Sequence, residues 1–205
     1  VKNEGDSGNL REGEILTIED LLAAALLESS NDAAYALAEH VGGKLSVNPE
    51  SDTPPVRAFE RAMNQKLNDL GLVHSNFTDP SGLEDIKSFS TADDLAKFVK
   101  YLRGNQNYSL IWYLLKLKNY HAESQNGVAV HDFKTTNPFL DEYVNVIGGK
   151  TGYTSRALGN MVLILDGPND AEIVYLVFGS GDRVGEIRKL VSWVNQAWTW
   201  PPKKP

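Results

Sequence analysis

Two short stretches of this chain hold residue types suited to acyl transfer. One is Ser29-Ser30-Asn31, at a boundary between two helical patterns. The other is Lys150-Thr151-Gly152, inside the run Ile147-Gly148-Gly149-Lys150-Thr151-Gly152-Tyr153-Thr154. Acyl transfer from a peptide needs a nucleophile, a base, a device to protonate the leaving amine, and donors for the oxyanion. A serine two residues before an asparagine, at a bend between helices, can turn both side chains into one cleft. There the Ser29 hydroxyl would relay a proton and the Asn31 amide would hold a substrate amide. The Lys150 cation favours anionic substrate groups, and the Thr151 hydroxyl suits a terminal carboxylate. Gly152 lets a substrate backbone approach the strand and pair with it. Taken singly, each stretch has a plainer reading: a helix stop followed by a fresh N-cap, and a strand end with a glycine turn. Their occurrence together, in this order and in these contexts, favours the chemical one. Ser29, Asn31, Lys150 and Thr151 are expected to converge on one cleft.

The elements that must position them follow from periodicity. Thr17-Ile18-Glu19-Asp20 is a capping-box-like start, and Leu21 to Glu28 is strongly helical until Ser29 and Ser30 interrupt it. A second helix is expected from Asn31 or Asp32 to about Val41, closed by Gly42-Gly43 and followed by a polar loop from Lys44 to Pro55. Phe59, Met63, Leu67 and Leu70 share one helical face, as do Leu95, Phe98, Val99 and Leu102 after Thr91. Tyr108 to Lys116 suits one more short helix. Beyond it the composition changes. Lys118–Ala122 and Val128–Phe133 pattern as a hairpin, and Val146–Lys150 as a short strand. Leu158–Leu165 and Glu172–Gly179 are apolar strands, and a last helix is expected to bury Ile187, Leu190, Val191, Val194 and Trp198. The fold class is α+β. A mostly helical block over 1–115 carries S-x-N, an antiparallel block with a closing helix over 116–198 carries K-T-G, and 199–205 is a linker or tail.

Bulk properties exclude several classes. The chain has 205 residues, 41% of them hydrophobic, with 23% charged and a net charge of −7, so it can bury a sizeable core and has no basic footprint for nucleic acid. With no cysteine, disulfides and thiolate metal sites are excluded. No apolar run is long enough to span a bilayer, and no signal peptide is evident. The abrupt start at Val1 and the Trp200-Pro201-Pro202-Lys203-Lys204-Pro205 end suggest a segment of a longer protein.

With these residues in place, the chain resembles the serine-type D-alanyl-D-alanine carboxypeptidases, low-molecular-mass penicillin-binding proteins of the bacterial cell wall. The likeness runs from Gly5 to about Trp198. It includes Gly5 to Leu10, Leu26 to Ala34, Leu70 to Leu83, Ser90 to Leu95, Thr136-Asn137, Gly148 to Thr154 and Arg183 to Leu190. The resemblance implies a β-lactamase/transpeptidase-like fold, extracytoplasmic location, and removal of the terminal D-alanine of peptidoglycan stem peptides through a serine acyl-enzyme. It implies no metal and no organic cofactor, and β-lactam antibiotics as inhibitors of the complete enzyme. Ser29 and Asn31 then match the family's S-x-N, and Lys150, Thr151 and Gly152 its K-T-G. Arg183, just before the last helix, matches an arginine that helps hold the substrate carboxylate. A β-lactamase or D,D-endopeptidase of the same superfamily, and a non-catalytic peptidoglycan-binding module, are the alternatives.

One departure stands at the front. The family's S-x-x-K nucleophile motif is absent, since no serine here has a lysine three residues later. Truncation is the simplest account, and with it the sheet is expected to be incomplete on its N-terminal side. The segment should then need the missing part from another chain or copy, or else self-associate, and should take no covalent penicillin label alone. Membrane anchoring, where it exists, would lie outside this segment.

Other features point nowhere strong. Gly5-Asp6-Ser7-Gly8 imitates a trypsin-like nucleophile motif without the His and Asp that must precede it. His40, His74, His121 and His131 share no ligand spacing. Trp193, Trp198 and Trp200 suit packing better than a sugar platform.

Overall fold

The computed structural model describes residues 8–45, 53–83 and 85–200. Gly5-Asp6-Ser7, most of the loop before Pro55 and the tail from Pro201 lie outside the described residues. The chain divides into two compact units, Val1–Thr135 and Thr136–Pro205. This division and the compositional break after residue 115 differ by one hairpin, which packs with the helices.

In the first unit, α1 (Ile18–Ala23) opens on the expected capping box. Asp20 N donates to Thr17 Oγ1 at 3.0 Å, and Thr17 N donates to Asp20 Oδ2 at 2.9 Å. The next five residues, Ala24–Glu28, widen into a π-helical turn. Then come α2 (Asn31–Leu45), α3 (Pro55–Asp69), α4 (Ala92–Arg103) and α5 (Ser109–Leu115). The hairpin pairs β1 (Asn119–Glu123) with β2 (Val130–Lys134), one or two residues later than its pattern suggested. Its inward residues Ala122 and Phe133 join Ala23, Ala24, Leu27, Ala33 and Leu114 in one apolar cluster. Burying such side chains contributes about 25 cal/mol for each Å² removed from water, so the hairpin is held by the helices rather than by the sheet.

The glycine pair in α2 does not end the helix, which continues to Leu45. Gly42 is there for packing. A Cβ at that position would fall 1.8 Å from the Pro55 carbonyl oxygen, so only glycine lets α2 and α3 approach this closely.

The second unit is a three-stranded antiparallel sheet, order β3-β4-β5, of β3 (Val146–Thr154), β4 (Leu158–Asp166) and β5 (Glu172–Ser180). β3 runs four residues beyond the expected end at Lys150. Register pairs Gly149 with Leu163 and Thr151 with Met161, so these side chains share one face and Lys150, opposite Val162, points to the other. Phe139 of α6 (Phe139–Glu142) and Ile187 and Val191 of α7 (Arg183–Ala197) cover the face carrying Met161, Leu163 and Leu165. Leu190 and Trp198, expected in that core, are 37% and 58% exposed. Leu190 lies off the buried stripe, and Trp198 follows the last helical residue.

Candidate active site

The S-x-N stretch owes its shape to how one helix ends and the next begins. The π turn closes on Ser29 in the left-handed region at φ 63°. A non-glycine residue there costs about 1–2 kcal/mol, so the surroundings must hold it. Ser30 N donates to the Ala24 carbonyl at 3.1 Å, one residue longer than a Schellman closing bond because the last turn is π-helical. Ser30 is 1% exposed and accepts from Ala33 N at 3.2 Å, so the middle residue of the motif caps α2. Ser29 is half-buried and Asn31 is buried as the first residue of α2. Behind them Gly8 packs on Ser30, where an added Cβ would fall 2.6 Å from the Ser30 hydroxyl. One turn along α2, the Tyr35 hydroxyl donates to Asp79, which also accepts from Ser81 N at 2.8 Å and Leu83 N at 3.0 Å. These bonds fasten the start of α2 to the 79–83 turn.

The K-T-G residues lie in the second unit, inside β3. Lys150 is half-buried and donates from Nζ to the Thr151 carbonyl at 2.8 Å. Burial, helped by the nearby Arg183 guanidinium, brings its pKa down to about 8. Thr151 is 7% exposed, and its hydroxyl lies 2.6 Å from that of Thr136. Gly152 is exposed.

Arg183 reaches the same strand from the start of α7. Its Nη1 donates to the Gly152 carbonyl at 3.2 Å, and its guanidinium carbon stands 5.9 Å from the centre of the Tyr153 ring. Gly159 is packed closely here, since a Cβ there would meet the Ser180 carbonyl oxygen at 2.7 Å and Arg183 Cδ at 3.1 Å. A cavity of about 200 Å³ opens beside it, lined by Tyr153, Gly159, Ser180 and Asp182 among others. Arg183 Nε is buried with no hydrogen-bond partner among the described residues.

Thus Ser29 and Asn31 stand together in the first unit, and Lys150, Thr151, Gly152 and Arg183 stand together in the second. Sequence reasoning did not single out Ser30 as the cap, the Thr136 hydroxyl or the Tyr153 ring. Each lies inside a stretch of the family likeness, Leu26 to Ala34, Thr136-Asn137 and Gly148 to Thr154, without a role of its own. Among the described residues no group of three or more His, Asp or Glu side chains could hold a metal ion, and no helix is long and apolar enough to cross a membrane.

The family model described as D-alanyl-D-alanine carboxypeptidase matches residues 2–180, which include both motifs. The chain belongs to this family. D-alanyl-D-alanine carboxypeptidase DacA of Haemophilus influenzae is 29% identical over 184 residues, covering 87% of this chain and 42% of the relative. A D-alanyl-D-alanine endopeptidase of Escherichia coli is 30% identical over 186 residues, covering 89% and 55%. The chain thus spans about half the length of these curated relatives. Among solved structures, the Streptomyces K15 DD-transpeptidase superposes with a TM-score of 0.76 at 25% identity, over 91% of this chain and 72% of that one. The carboxypeptidase-family fold is therefore the α+β, transpeptidase-like one expected from the sequence.

Proposed function

We propose that this chain carries part of the machinery of a D,D-carboxypeptidase, which removes the terminal D-alanine of peptidoglycan stem peptides through a serine acyl-enzyme. The observation that carries the proposal is the bond from Arg183, at the start of α7, to Gly152 of the K-T-G strand, on the face that carries Thr151 and Tyr153. A guanidinium and a hydroxyl on one face, with the Lys150 cation in the same strand, suit a carboxylate, the group that marks the end of a stem peptide. An exposed glycine beside them suits a peptide backbone laid along the strand. Charge-assisted bonds from arginine to carboxylate are among the stronger contacts a surface site can offer.

In this reading Ser29 relays the proton toward the leaving amine and Asn31 holds the substrate amide. Thr151 and Arg183 hold the carboxylate, Lys150 acts with Ser29 and Asn31 in catalysis and adds its positive field from the other face of the strand, and Gly152 admits the backbone. None of these residues is assigned the attack. The place of action is the extracytoplasmic side of a bacterial cell, where peptidoglycan is found, and β-lactams are inhibitors of the complete enzyme.

The named endopeptidase among the relatives supports a second reading, cleavage of a D-alanyl bond whose far side is an amide rather than a free carboxylate. Turnover by the full-length protein separates the two. A carboxypeptidase releases D-alanine from a peptide ending in D-alanyl-D-alanine and works poorly on the same peptide with its terminus amidated. Equal rates on both would remove the carboxylate reading.

A further inference from the structure

The hydroxyl beside Thr151 belongs to Thr136, and the way it is brought there is specific. Thr136 Oγ1 lies 2.6 Å from Thr151 Oγ1, both within the second unit. Thr151 is 7% exposed, whereas Thr136 faces solvent. The next residue fixes the approach. Asn137 is 3% exposed, and its Oδ1 accepts from Phe139 N at 3.1 Å. Its Nδ2 stands 2.8 Å from where a Cβ on Gly149 would be. Gly149 and Thr151 share one face of β3, so residues 136 and 137 lie along that face. The missing side chain at 149 makes room for the amide, and the amide sets the hydroxyl beside it.

A threonine hydroxyl has one hydrogen and two lone pairs. When two meet at this distance, one donates to the other and a single hydrogen is left for an outside acceptor. Such a chain is polarised along its length, which strengthens the outer donor toward an anion. We propose that Thr136 is a positioning residue for the carboxylate subsite, holding the Thr151 hydroxyl so that the pair offers one directed donor to an anionic substrate terminus. This rests on the reading of the K-T-G strand as the carboxylate anchor. Without Thr136 the Thr151 hydroxyl is free to rotate, and its hydrogen is no longer aimed.

The test compares Thr136→Val, Thr136→Ser, Thr151→Val and the double valine variant in the full-length protein. Valine keeps the shape and removes the hydroxyl, so packing alone predicts little change. Calorimetry with the dipeptide D-alanyl-D-alanine reads the subsite without turnover. Thr136→Val should raise its Kd about tenfold, the lower end for a hydrogen bond to a charged group, and Thr136→Ser should restore it. Adding Thr136→Val to Thr151→Val should cost nothing further, because both act through one donor. In turnover, the preference for a free-acid peptide over its amide should fall in Thr136→Val mainly through KM. An unchanged Kd in Thr136→Val, or losses that add in the double variant, would overturn the proposal. If the unsubstituted protein binds the dipeptide yet cleaves neither peptide, the functional reading falls and the same Kd values still decide the role of Thr136. If it does not bind the dipeptide, both fall.

Discussion

Arg183 donates to the Gly152 carbonyl at 3.2 Å, tying the first residue of the last helix to the glycine of the K-T-G strand. That bond uses only part of the guanidinium. Arg183 also lines the cavity beside Tyr153, from which a bound carboxylate would reach it in the proposed reading. Arg183→Ala should therefore weaken turnover of peptides ending in a free carboxylate. A charge-assisted contact is worth about 1.5–3 kcal/mol, a fall in kcat/KM of roughly ten- to a hundredfold. Equal turnover by variant and parent would remove Arg183 from the site.

Lys150 gives a pH dependence with a definite sign. Its pKa is lowered to about 8, by burial first and by Arg183 second. The cation, proposed to attract a carboxylate, is present below that pH and lost above it. KM for a free-acid peptide should rise as pH passes through about 8. Removing a neighbouring positive charge favours the charged form, so in Arg183→Ala the inflection should move upward. For stability, the unfolded lysine keeps its proton to higher pH than the folded one. Between about 8 and the ordinary lysine value the unfolded state binds more protons, so this group's contribution to stability rises with pH. A titration of Lys150 by NMR in both proteins checks these signs, and an inflection that does not move would separate Lys150 from Arg183.

Ser29 allows its hydroxyl and its backbone to be tested apart. Glycine accepts the left-handed conformation without the penalty serine bears, so Ser29→Gly should hold stability or raise it by up to about 1 kcal/mol. Activity should fall nonetheless, because the hydroxyl proposed to relay the proton is gone. Thermal unfolding and kcat measured on the same preparation read both effects. A Ser29→Gly protein as active as its parent would show that the hydroxyl relays nothing.

Gly8 and Ser30 are predicted to be coupled. A Cβ at Gly8 would fall 2.6 Å from Ser30 Oγ, and Gly8 has φ +63°. Gly8→Ala should cost about 1–3 kcal/mol through overpacking and strain. Ser30→Gly in the same chain clears the side chain it strikes and should recover part of that loss, which denaturant unfolding of the two single variants and the double would show. Purely additive losses would mean the contact does not matter.

Much of this was legible in the sequence where the cause is local. The capping box at Thr17 needs only four consecutive residues, and it forms as written. The amphipathic helices and the apolar strands likewise follow from periodicity. What escaped depends on distant partners. The pair Gly42-Gly43 reads as a helix stop, yet α2 continues because Gly42 is pressed against Pro55. β3 extends past Gly152 because β4 pairs with it through Thr154, a reason found in another strand. Serine seldom adopts positive φ, so nothing in Ser29-Ser30-Asn31 announces that Ser29 does and that Ser30 is the cap. The site followed the same rule. Its residue types were readable as motifs, whereas the Thr136 hydroxyl and the Tyr153 ring over Arg183 arise from packing.

The central claim is that the K-T-G strand with Arg183 recognises the free carboxylate of a peptide ending in D-alanyl-D-alanine. The most direct measurement is release of D-alanine by the full-length protein from such a peptide and from its C-terminal amide, with and without Arg183→Ala. The account predicts release from the free acid, much less from the amide, and loss of that preference in the variant. No release from the free acid, or a preference unchanged in Arg183→Ala, would contradict it.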